Sequence, residues 1–314
     1  MVLEGFGGIP VGSPRVSFAR QLKHLFISLR PHQWTKNVVV LAALIFAERL
    51  YHPPSVLLAG GAFVVFCVLS GAVYLVNDLA DLEGDRRHPV KRLRPLPSGA
   101  LSPFVAKAGA TALAGAGIAA SFAIGGKFAA VAVLYFGTMM AYSLALKNIV
   151  VVDVLVVAMG FVLRALAGAV AIGVAFSHWL LICTLLFALF LALAKRRQEL
   201  TLLAGGAAEH RKILGEYSPY LLDQMIAVVT ASTVVSYALY TLAPETISRF
   251  GTDRLVWTLP FVLYGILRYL YLVHQKEEGG NPTEVLLNDR PILVTVALWA
   301  ATVVTLIYHG HESG

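Results

Sequence analysis

Charged residues and cysteine are both scarce in this chain of 314 residues. Asp, Glu, Lys and Arg make up only 14% of it, whereas about a quarter is usual for a soluble domain. The two cysteines, Cys67 and Cys183, each lie in an apolar run, which argues against a disulfide framework and a cysteine-based metal site. Residues 1–20 lack a continuous apolar core, so we expect no signal peptide. A soluble enzyme and a disulfide-rich secreted domain are therefore both disfavoured.

Apolar residues are abundant instead. They make up 58% of the chain, and the mean hydropathy is +0.73, which favours a polytopic membrane protein. Breakers such as Pro53-Pro54, Gly125-Gly126 and Gly205-Gly206 separate nine apolar spans of about 20 residues, the length that a bilayer requires. We expect an all-α membrane bundle with spans near 35–51, 56–82, 103–124, 128–146, 149–174, 179–203, 219–244, 254–274 and 290–308.

The first 34 residues form a separate segment in this interpretation. Leu22, Leu25, Phe26 and Leu29 recur at helical spacing among basic residues, which predicts a short amphipathic helix lying on the membrane surface. Residues 35–310 then form one transmembrane domain without a repeat of fixed period. Two of its helices should begin at Ser-Pro pairs, in which Ser caps the helix and Pro occupies its first position. These pairs are Ser102-Pro103 and Ser218-Pro219.

Lys and Arg are distributed unequally between the two ends of the predicted spans. Of the 25, 19 fall at the end that also carries the N-terminus and 4 at the opposite end. Because positive loops usually face the cytoplasm, we expect the N-terminus and these loops inside and the C-terminus outside a plasma (inner) membrane. The net charge of +7 then reflects cytoplasmic loops and anionic lipid head groups, with no nucleic acid as partner.

The densest charge follows the second predicted span, in the segment NDLADLEGDRRHPVKRLRP from Asn77 to Pro95. It contains four acids and five Lys or Arg residues. Asp78, Asp81 and Asp85 stand at i, i+3 and i+7, so on a continuous helix they share one face. Three carboxylates within two turns repel one another and are costly near lipid, and a divalent cation relieves that repulsion. Oxygen-only ligands suit Mg²⁺, which commonly bridges a carboxylate to substrate phosphates.

Basic residues follow these acids at once, and they are residue types that bind phosphate. A solvated acidic helix end is the plainer interpretation, but it does not explain why cations come next. Acids that hold Mg²⁺ beside bases that hold phosphate predict a diphosphate site. The residues after the acids are Arg86, Arg87, His88, Lys91, Arg92 and Arg94.

The same residues resemble a known family. The pattern Asn77-Asp78-x-x-Asp81-x-x-x-Asp85 matches the first aspartate-rich motif of the UbiA superfamily of intramembrane prenyltransferases, whose fold has nine helices with cytoplasmic polar loops. The closer resemblance is to its decaprenyl-phosphate phosphoribosyltransferase branch, and it covers nearly the whole chain. The segments that carry it, in the order of that branch, are RPHQWTKN (30–37), NDLADLEGDRRHPVKRLRP (77–95), AYSLALK (141–147), AKRRQEL (194–200) and LLNDRP (286–291).

The resemblance implies a Mg²⁺-dependent transfer of phosphoribose from phosphoribosyl pyrophosphate (PRPP) to a polyprenyl phosphate, for the synthesis of cell-envelope precursors. Pyrophosphate is the leaving group at the anomeric carbon. We expect Asp78, Asp81 and Asp85 to hold Mg²⁺ on it and to form the catalytic set together with Arg92. No general base is expected, because the acceptor phosphate is already anionic at neutral pH.

A second motif separates this transfer from prenyl transfer. Typical UbiA prenyltransferases carry another aspartate-rich motif after the sixth span, where this chain has Lys195-Arg196-Arg197-Gln198-Glu199 with a single carboxylate. PRPP carries a monophosphate besides its diphosphate, and the lipid acceptor adds another phosphate. Cations in place of acids therefore favour the phosphoribosyl reaction. Prenyl transfer to an aromatic or other acceptor remains the alternative.

Further residues are predicted to bind substrate, each with a structural alternative. Lys36 is either a phosphate ligand or a lipid-head-group anchor. Arg164 lies within a span, and its partner is either substrate phosphate or Asp153, three turns earlier on the same helix. Tyr142 and Lys147 are residue types that are common at helix ends anyway.

Lys195 and Glu199 are four residues apart, so they also fit a simple ion pair along one helix. The predicted substrate-binding residues are Lys36, Asn77, Arg86, His88, Lys91, Arg94, Tyr142, Lys147, Arg164, Lys195, Arg196 and Glu199. A transporter is disfavoured, because the charges cluster at one membrane face and no repeat is evident. The sequence leaves a homo-oligomer open, since Gly109, Gly115 and Gly117 suit helix packing between protomers.

Overall fold

A computed structural model describes residues 17–175, 177–202, 212–276 and 282–309, and every regular element within them is a helix. The first 16 residues and the predicted breaker at 205–206 lie outside the described ranges. The α-helices are α1 Phe18–Ser28, α2 Ala42–Phe46, α3 Pro53–Ala80, α4 Leu82–Arg87, α5 Pro103–Ile124, α6 Gly126–Leu144, α7 Val152–Ala171, α8 His178–Leu202, α9 Pro219–Leu242, α10 Pro244–Phe250, α11 Leu259–Gln275, α12 Pro282–Asn288 and α13 Arg290–His309. Short 3₁₀ helices occupy Pro31–Leu41, Lys91–Leu93, Leu146–Asn148, Lys212–Glu216 and Arg254–Thr258.

Eight helices in the described ranges are long and apolar enough to cross a membrane, so the chain is a multi-pass membrane protein as predicted. Large apolar side chains such as Phe104, Val228 and Leu267 are exposed on their outer faces, where lipid is expected. The predicted span 35–51 is the exception. It forms the 3₁₀ helix Pro31–Leu41 and the five-residue α2, which ends at Phe46.

The predicted helix starts are confirmed. The Ser102 hydroxyl accepts the backbone N–H of Val105 at 3.2 Å, and the Ser218 hydroxyl accepts that of Leu221 at 3.1 Å. Each serine is followed by proline at the first helical position, where the missing N–H removes no helical hydrogen bond. Gly125 separates α5 from α6 with φ at 154°, a value that residues with side chains rarely adopt.

Small residues of α5 pack within the chain. A Cβ at Gly109 would lie 2.8 Å from Cδ1 of Leu25 in α1, and one at Gly117 would lie 2.7 Å from Cδ2 of Leu69 in α3. These two glycines therefore serve the contacts of α5 with α1 and α3, not contacts between protomers. Gly115 has open space around it. The inner side of α1 packs on an apolar cluster that includes Leu75, Leu96 and Leu101.

Helix α7 lies between two apolar cores. Leu163 and Ala167 join the core of α3 and α6, whereas Val154 joins the core of α8, α9 and α11. The segment Pro31–Leu41 approaches α7 so closely that a Cβ at Gly168 would stand 1.9 Å from the carbonyl oxygen of Val40. Only glycine fits there, and the approach places polar side chains of that segment against the middle of α7.

Candidate active site

The three predicted aspartates lie where α3 gives way to α4. We call Asp78, Asp81 and Asp85 the acid site. Asp81 separates the two helices with φ at −95° and ψ at 5°, outside the helical range. The segment is therefore not one regular helix, although the backbone hydrogen bonds Asp81 N–H to Asn77 O at 2.9 Å and Asp85 N–H to Asp81 O at 2.8 Å continue the helical pattern through it. Asp78 lies in the last turn of α3, and Asp85 belongs to α4.

Asp78 and Asp85 are nevertheless close together, because both bind the same guanidinium. Arg94 Nη1 donates to Asp78 Oδ1 at 3.2 Å and to Asp85 Oδ2 at 2.8 Å. Arg30, which precedes the segment Pro31–Leu41, also donates to Asp78 Oδ1. Only 1% of Asp78 and 4% of Asp85 is exposed, so their charges are balanced by arginine and not by water.

Asp81 has different partners from the other two acids. Its Oδ1 accepts from Nζ of Lys147, in the connection between α6 and α7, and its Oδ2 accepts from Nδ2 of Asn77 at 3.1 Å. The predicted residues Asn77 and Lys147 thus both reach the acid site. The three carboxylates do not converge on one point here, since Asp81 faces Lys147 while the other two face Arg94.

The oxygen donors of Asp78 and Asp85 fit a hard cation such as Mg²⁺. Their oxygens meet within 3.2 Å of a single nitrogen, so one small cation can reach both carboxylates. Across the described ranges, no three His, Cys, Asp or Glu side chains are grouped as a metal site. The protein would thus supply a pair of carboxylates, and substrate phosphate and water would supply the other ligands, as is usual for Mg²⁺.

The basic residues after the acids are less buried than Asp78 and Asp85. Lys91 Nζ lies 3.7 Å from Asp85 Oδ1, so it borders the acid site. Arg92 follows it in the chain, is exposed, and its side chain forms no hydrogen bond with a described residue. Its predicted catalytic role stays a prediction.

Two other predicted residues of this segment make local contacts. Arg86 pairs with Glu83 at 2.9 Å, and both side chains are exposed. His88 Nδ1 accepts backbone N–H groups of Val90 and Lys91 at 3.2 and 3.3 Å, which shapes the turn after α4. These contacts support the form of the loop, and neither residue touches an aspartate through them.

The second basic motif forms its own buried network at the end of α8. Arg196 donates through Nε to Asp153 of α7 at 2.7 Å, through Nη1 to Glu199 at 2.5 Å and through Nη2 to the Tyr142 hydroxyl at 3.2 Å. Lys195 Nζ lies 3.7 Å from Glu199 Oε1, which agrees with the helix ion pair that the spacing allows. Arg196 is therefore fixed by protein groups on three sides.

Arg164 is a buried cation without a carboxylate. It is 6% exposed and donates to two neutral oxygens, Asn37 Oδ1 at 2.7 Å and the Tyr135 hydroxyl at 2.8 Å. Its guanidinium also lies 4.9 Å from the ring of Tyr135. The alternative prediction, that Asp153 is the partner of Arg164, is wrong. The Asp153 carboxylate lies three turns away along α7 and binds Arg196. Among the described residues, Arg164 forms no ion pair.

Lys36 lies in the same polar interior, and we call Lys36 and Arg164 the basic pair. No carboxylate of the described chain pairs with the Lys36 ammonium. Burial lowers its pKa from 10.5 to about 7, and three neighbouring cations add to this effect. These cations are Lys195, Arg164 and Arg30. An anion placed here would meet Lys36 and Arg164, neither of which pairs with a carboxylate of a described residue.

The structure adds site residues that we did not nominate from sequence. Arg30 and Asn37 are the first and last residues of the segment RPHQWTKN. The resemblance of this segment to the family was a signal that could have identified both. Tyr135 and Tyr217 gave no signal, because a tyrosine in or near a span is most simply a packing or interface residue. Asp153 was considered only as a partner of the wrong arginine.

A model of the UbiA prenyltransferase family matches residues 37–288. Among curated proteins, the decaprenyl-phosphate phosphoribosyltransferase of Corynebacterium glutamicum is 37% identical over 90% of this chain and 86% of its own length. The enzyme of that name from Mycolicibacterium smegmatis is 33% identical over 90% of this chain and 92% of its own. Both alignments include the acid site and the second basic motif within their span.

Solved structures share the fold at lower identity. The structure of a UbiA homolog from Archaeoglobus fulgidus bound to GPP and Mg²⁺ superposes with a TM-score of 0.67. The match covers 92% of this chain and 99% of that one, at 18% sequence identity. The arrangement of helices is therefore shared over nearly the whole length of both chains.

Proposed function

Because the chain belongs to the UbiA prenyltransferase family, we propose that it transfers phosphoribose from PRPP to a polyprenyl phosphate and releases pyrophosphate. The two curated relatives bear the name of this activity, which supports decaprenyl phosphate or a similar lipid as the acceptor. The product is a lipid-linked sugar phosphate, which suits a role in making cell-envelope precursors.

The observation that carries this proposal is the basic pair. Prenyl transfer from a prenyl diphosphate needs a site for one diphosphate. Phosphoribosyl transfer brings a diphosphate, the 5-phosphate of ribose and the phosphate of the acceptor lipid into one site. Lys36 and Arg164 are cations beyond those that already balance the acid site, and no carboxylate of the described chain neutralises them. A buried charge without a partner is costly, so a substrate phosphate is the natural partner.

The acid site is proposed to bind the diphosphate of PRPP. Asp78 and Asp85, with Asp81 as a third predicted ligand, would hold Mg²⁺, which when bound supplies Lewis-acid stabilisation of the leaving pyrophosphate. Arg94 already lies between two of these carboxylates and can turn its remaining N–H groups to phosphate oxygens. Lys91 borders the same place.

The bonds that change are at the anomeric carbon of ribose. An oxygen of the acceptor phosphate forms the new bond to this carbon as the bond to the diphosphate oxygen breaks. Pyrophosphate leaves with that electron pair, and nearby arginine and lysine side chains stabilise its added charge. The acceptor needs little proton removal, because the second pKa of a phosphate monoester is about 6.

The other nominated residues have supporting roles in this proposal. Asn77 and Lys147 orient Asp81, to which both donate. Arg196 is held by Asp153, Glu199 and Tyr142, so its guanidinium keeps a fixed position at the end of α8. The exposed or local residues are proposed to contact the outer phosphate oxygens of PRPP. They are Arg86, His88, Arg92 and Lys195.

We propose that the acid site and the basic loops face the cytoplasm, where PRPP is made, in a plasma membrane. The excess of Lys and Arg at this end of the helices supports that orientation. Membrane vesicles of known sidedness would test it. Added PRPP should support turnover only in inside-out vesicles.

Prenyl transfer is the competing function, and the family description itself favours it. The two activities are separated by following label in purified protein with Mg²⁺. Ribose-labelled PRPP with polyprenyl phosphate should give a labelled lipid, whereas chain-labelled prenyl diphosphate with an aromatic acceptor should give none. Label from the prenyl chain alone would reject our proposal. A panel of polyprenyl phosphates then gives the preferred chain length.

A further inference from the structure

The connection between α6 and α7 contains a strained turn. Val151 has φ at 68° and ψ at −43°, and the Val152 N–H donates to the Val150 carbonyl at 2.8 Å, so the turn closes over three residues. A γ-turn with positive φ is rare, and a β-branched residue in it is a steric outlier. Such strain persists only where the surroundings hold it, and it is common at functional sites. We call residues 150–152 the Val151 turn.

One tyrosine hydroxyl holds this turn. The Tyr217 hydroxyl accepts the Val151 N–H at 2.8 Å and donates to Asp153 Oδ1 at 2.8 Å. Both tyrosine and aspartate are buried. Burial, with the Asp153 carboxylate beside it, raises the pKa of Tyr217 to about 12, so the hydroxyl keeps its proton and remains a donor.

The same carboxylate is tied to the second basic motif. Arg196 Nε donates to Asp153 Oδ2 at 2.7 Å, and its Nη2 donates to the hydroxyl of Tyr142, three residues before the connection begins. Both ends of the connection are thereby fixed to one arginine. Between these ends, Val150 packs against the apolar core of α8, α9 and α11, next to the turn.

The middle of the connection carries Lys147. Its ammonium binds Asp81 of the acid site, and the side chain is only 13% exposed. The position of this ammonium depends on the backbone at both ends of the connection. A relaxed Val151 turn would move the 3₁₀ helix Leu146–Asn148 and withdraw Lys147 from Asp81.

We infer that Tyr217 is a positioning residue, whose hydroxyl holds the Val151 turn and thereby places Lys147 on Asp81. The expected effect of Tyr217 on turnover rests on the proposed function. The placement of Lys147 can be measured without any substrate. The hydroxyl of Tyr217 binds Val151 and Asp153 and no residue of the acid site, so it acts through the backbone of the connection.

Tyr217→Phe removes the hydroxyl and leaves the ring. We expect kcat to fall about tenfold, the effect of losing a buried hydrogen-bonded group, with a smaller change in KM. Acetylation of intact protein by acetic anhydride, read by mass spectrometry, should show more modification at Lys147. The exposed Lys107 serves as the internal reference.

Tyr269→Phe is the matched control. Tyr269 is also a buried tyrosine, but its hydroxyl has no hydrogen-bond partner among the described residues. Removing it should leave kcat and the protection of Lys147 unchanged. The two variants therefore differ in whether the lost hydroxyl binds the Val151 turn and Asp153.

Val151→Gly distinguishes positioning from general stability. Glycine adopts positive φ without steric cost, so the turn no longer depends on the Tyr217 hydroxyl. In the double variant Tyr217→Phe with Val151→Gly, most of the kcat and the protection of Lys147 should return. A merely structural role of Tyr217 predicts no such rescue.

The inference is overturned if Tyr217→Phe keeps normal kcat and a protected Lys147, or if its loss of kcat leaves Lys147 protected. Should this variant not fold, Val151→Pro replaces it, because proline fixes φ near −65° and removes the N–H that Tyr217 binds. An exposed Lys147 in Val151→Pro supports the inference, and a protected one overturns it. If the wild-type protein transfers no phosphoribose, the proposed function is rejected. The inference about Tyr217 is then still tested, because the acetylation of Lys147 is measured without turnover.

Discussion

The acid site and the basic pair are neighbours with opposite charge balance. At the acid site every carboxylate binds an arginine or lysine, so the cluster is neutralised by the protein itself. At the basic pair, Arg164 binds only neutral oxygens and Lys36 is surrounded by cations. A balanced cluster keeps its form without substrate, whereas an unbalanced one gains most from a bound anion. We therefore expect the acid site to be preformed and the basic pair to be completed by a bound phosphate.

The largest effect on activity is expected when a buried carboxylate of the acid site loses its charge. Asp78→Asn removes a proposed Mg²⁺ ligand and leaves Arg30 and Arg94 without their shared carboxylate. We expect kcat to fall by at least about 100-fold, because an amide no longer supplies a charged oxygen ligand for the Mg²⁺ that would stabilise the leaving pyrophosphate. EDTA should stop the wild type and added Mg²⁺ restore it.

Glu83→Gln is the control for that substitution. Glu83 lies in the same segment, is exposed and pairs only with the exposed Arg86. Its loss should change kcat by less than about threefold, since exposed ion pairs are worth about 0–1 kcal/mol. Full activity of Asp78→Asn, or of the wild type in chelator, would remove the acid site from the mechanism.

A smaller effect is expected from the unbalanced region. Arg164→Met keeps the length of the side chain and removes its charge. We expect kcat/KM to fall about 10- to 150-fold, the effect of losing a charged hydrogen bond of about 1.5–3 kcal/mol to phosphate. The folded protein should lose no stability beyond its bonds to Asn37 and Tyr135, because no buried carboxylate is left unpaired.

Arg268→Met provides the comparison, because Arg268 also lies within a span but binds Asp289 through two nitrogens, at 2.9 and 3.4 Å. In Arg268→Met the melting temperature should fall, because Asp289 loses its partner, and kcat/KM should change little. If both variants lose stability alike and Arg164→Met keeps normal kcat/KM, the basic pair is structural.

The pH dependence of binding sharpens the comparison further. With a pKa of about 7, Lys36 is largely neutral above pH 7, and a bound phosphate favours its charged form. Phosphate binding therefore takes up a proton above pH 7, and apparent affinity should fall by up to about tenfold per pH unit there. Lys36→Arg stays charged and should bind with little pH dependence above 7. Calorimetry in buffers of different ionisation enthalpy measures the proton uptake, and its absence in the wild type would contradict this assignment.

The smallest effect is expected at the exposed edge. Arg92→Ala removes a solvent-exposed charge beside the acid site, so the apparent KM for PRPP should rise only about two- to fivefold. The rise should shrink as salt is added, because exposed charges are screened within about 10 Å at 0.1 M. A kinetically silent Arg92→Ala in correctly oriented protein would assign Arg92 to membrane topology alone.

Much of the site could be predicted because its residues are close in sequence. The acids and the bases of residues 77–95 form one segment, and their spacing alone indicated carboxylates beside cations. Arg196 and Glu199 were also predicted, but the assignment of Asp153 to Arg164 failed. Eleven residues along one helix are about 16 Å apart, so a partner on a neighbouring helix was closer. Sequence separation measures distance only along a single element.

The sequence by itself determined the class of fold, the helix starts and the charged segments. These depend on apolar run length, Ser-Pro caps and local charge, which need no knowledge of distant residues. Tertiary packing decided which cation meets which acid. The approach of the segment Pro31–Leu41 to α7, permitted by Gly168, brings Asn37 to Arg164 across 127 positions of the chain. The hydroxyl of Tyr217 likewise reaches the Val151 turn only after the helices have packed, because a hydrogen bond forms between atoms about 3 Å apart whatever their separation in sequence.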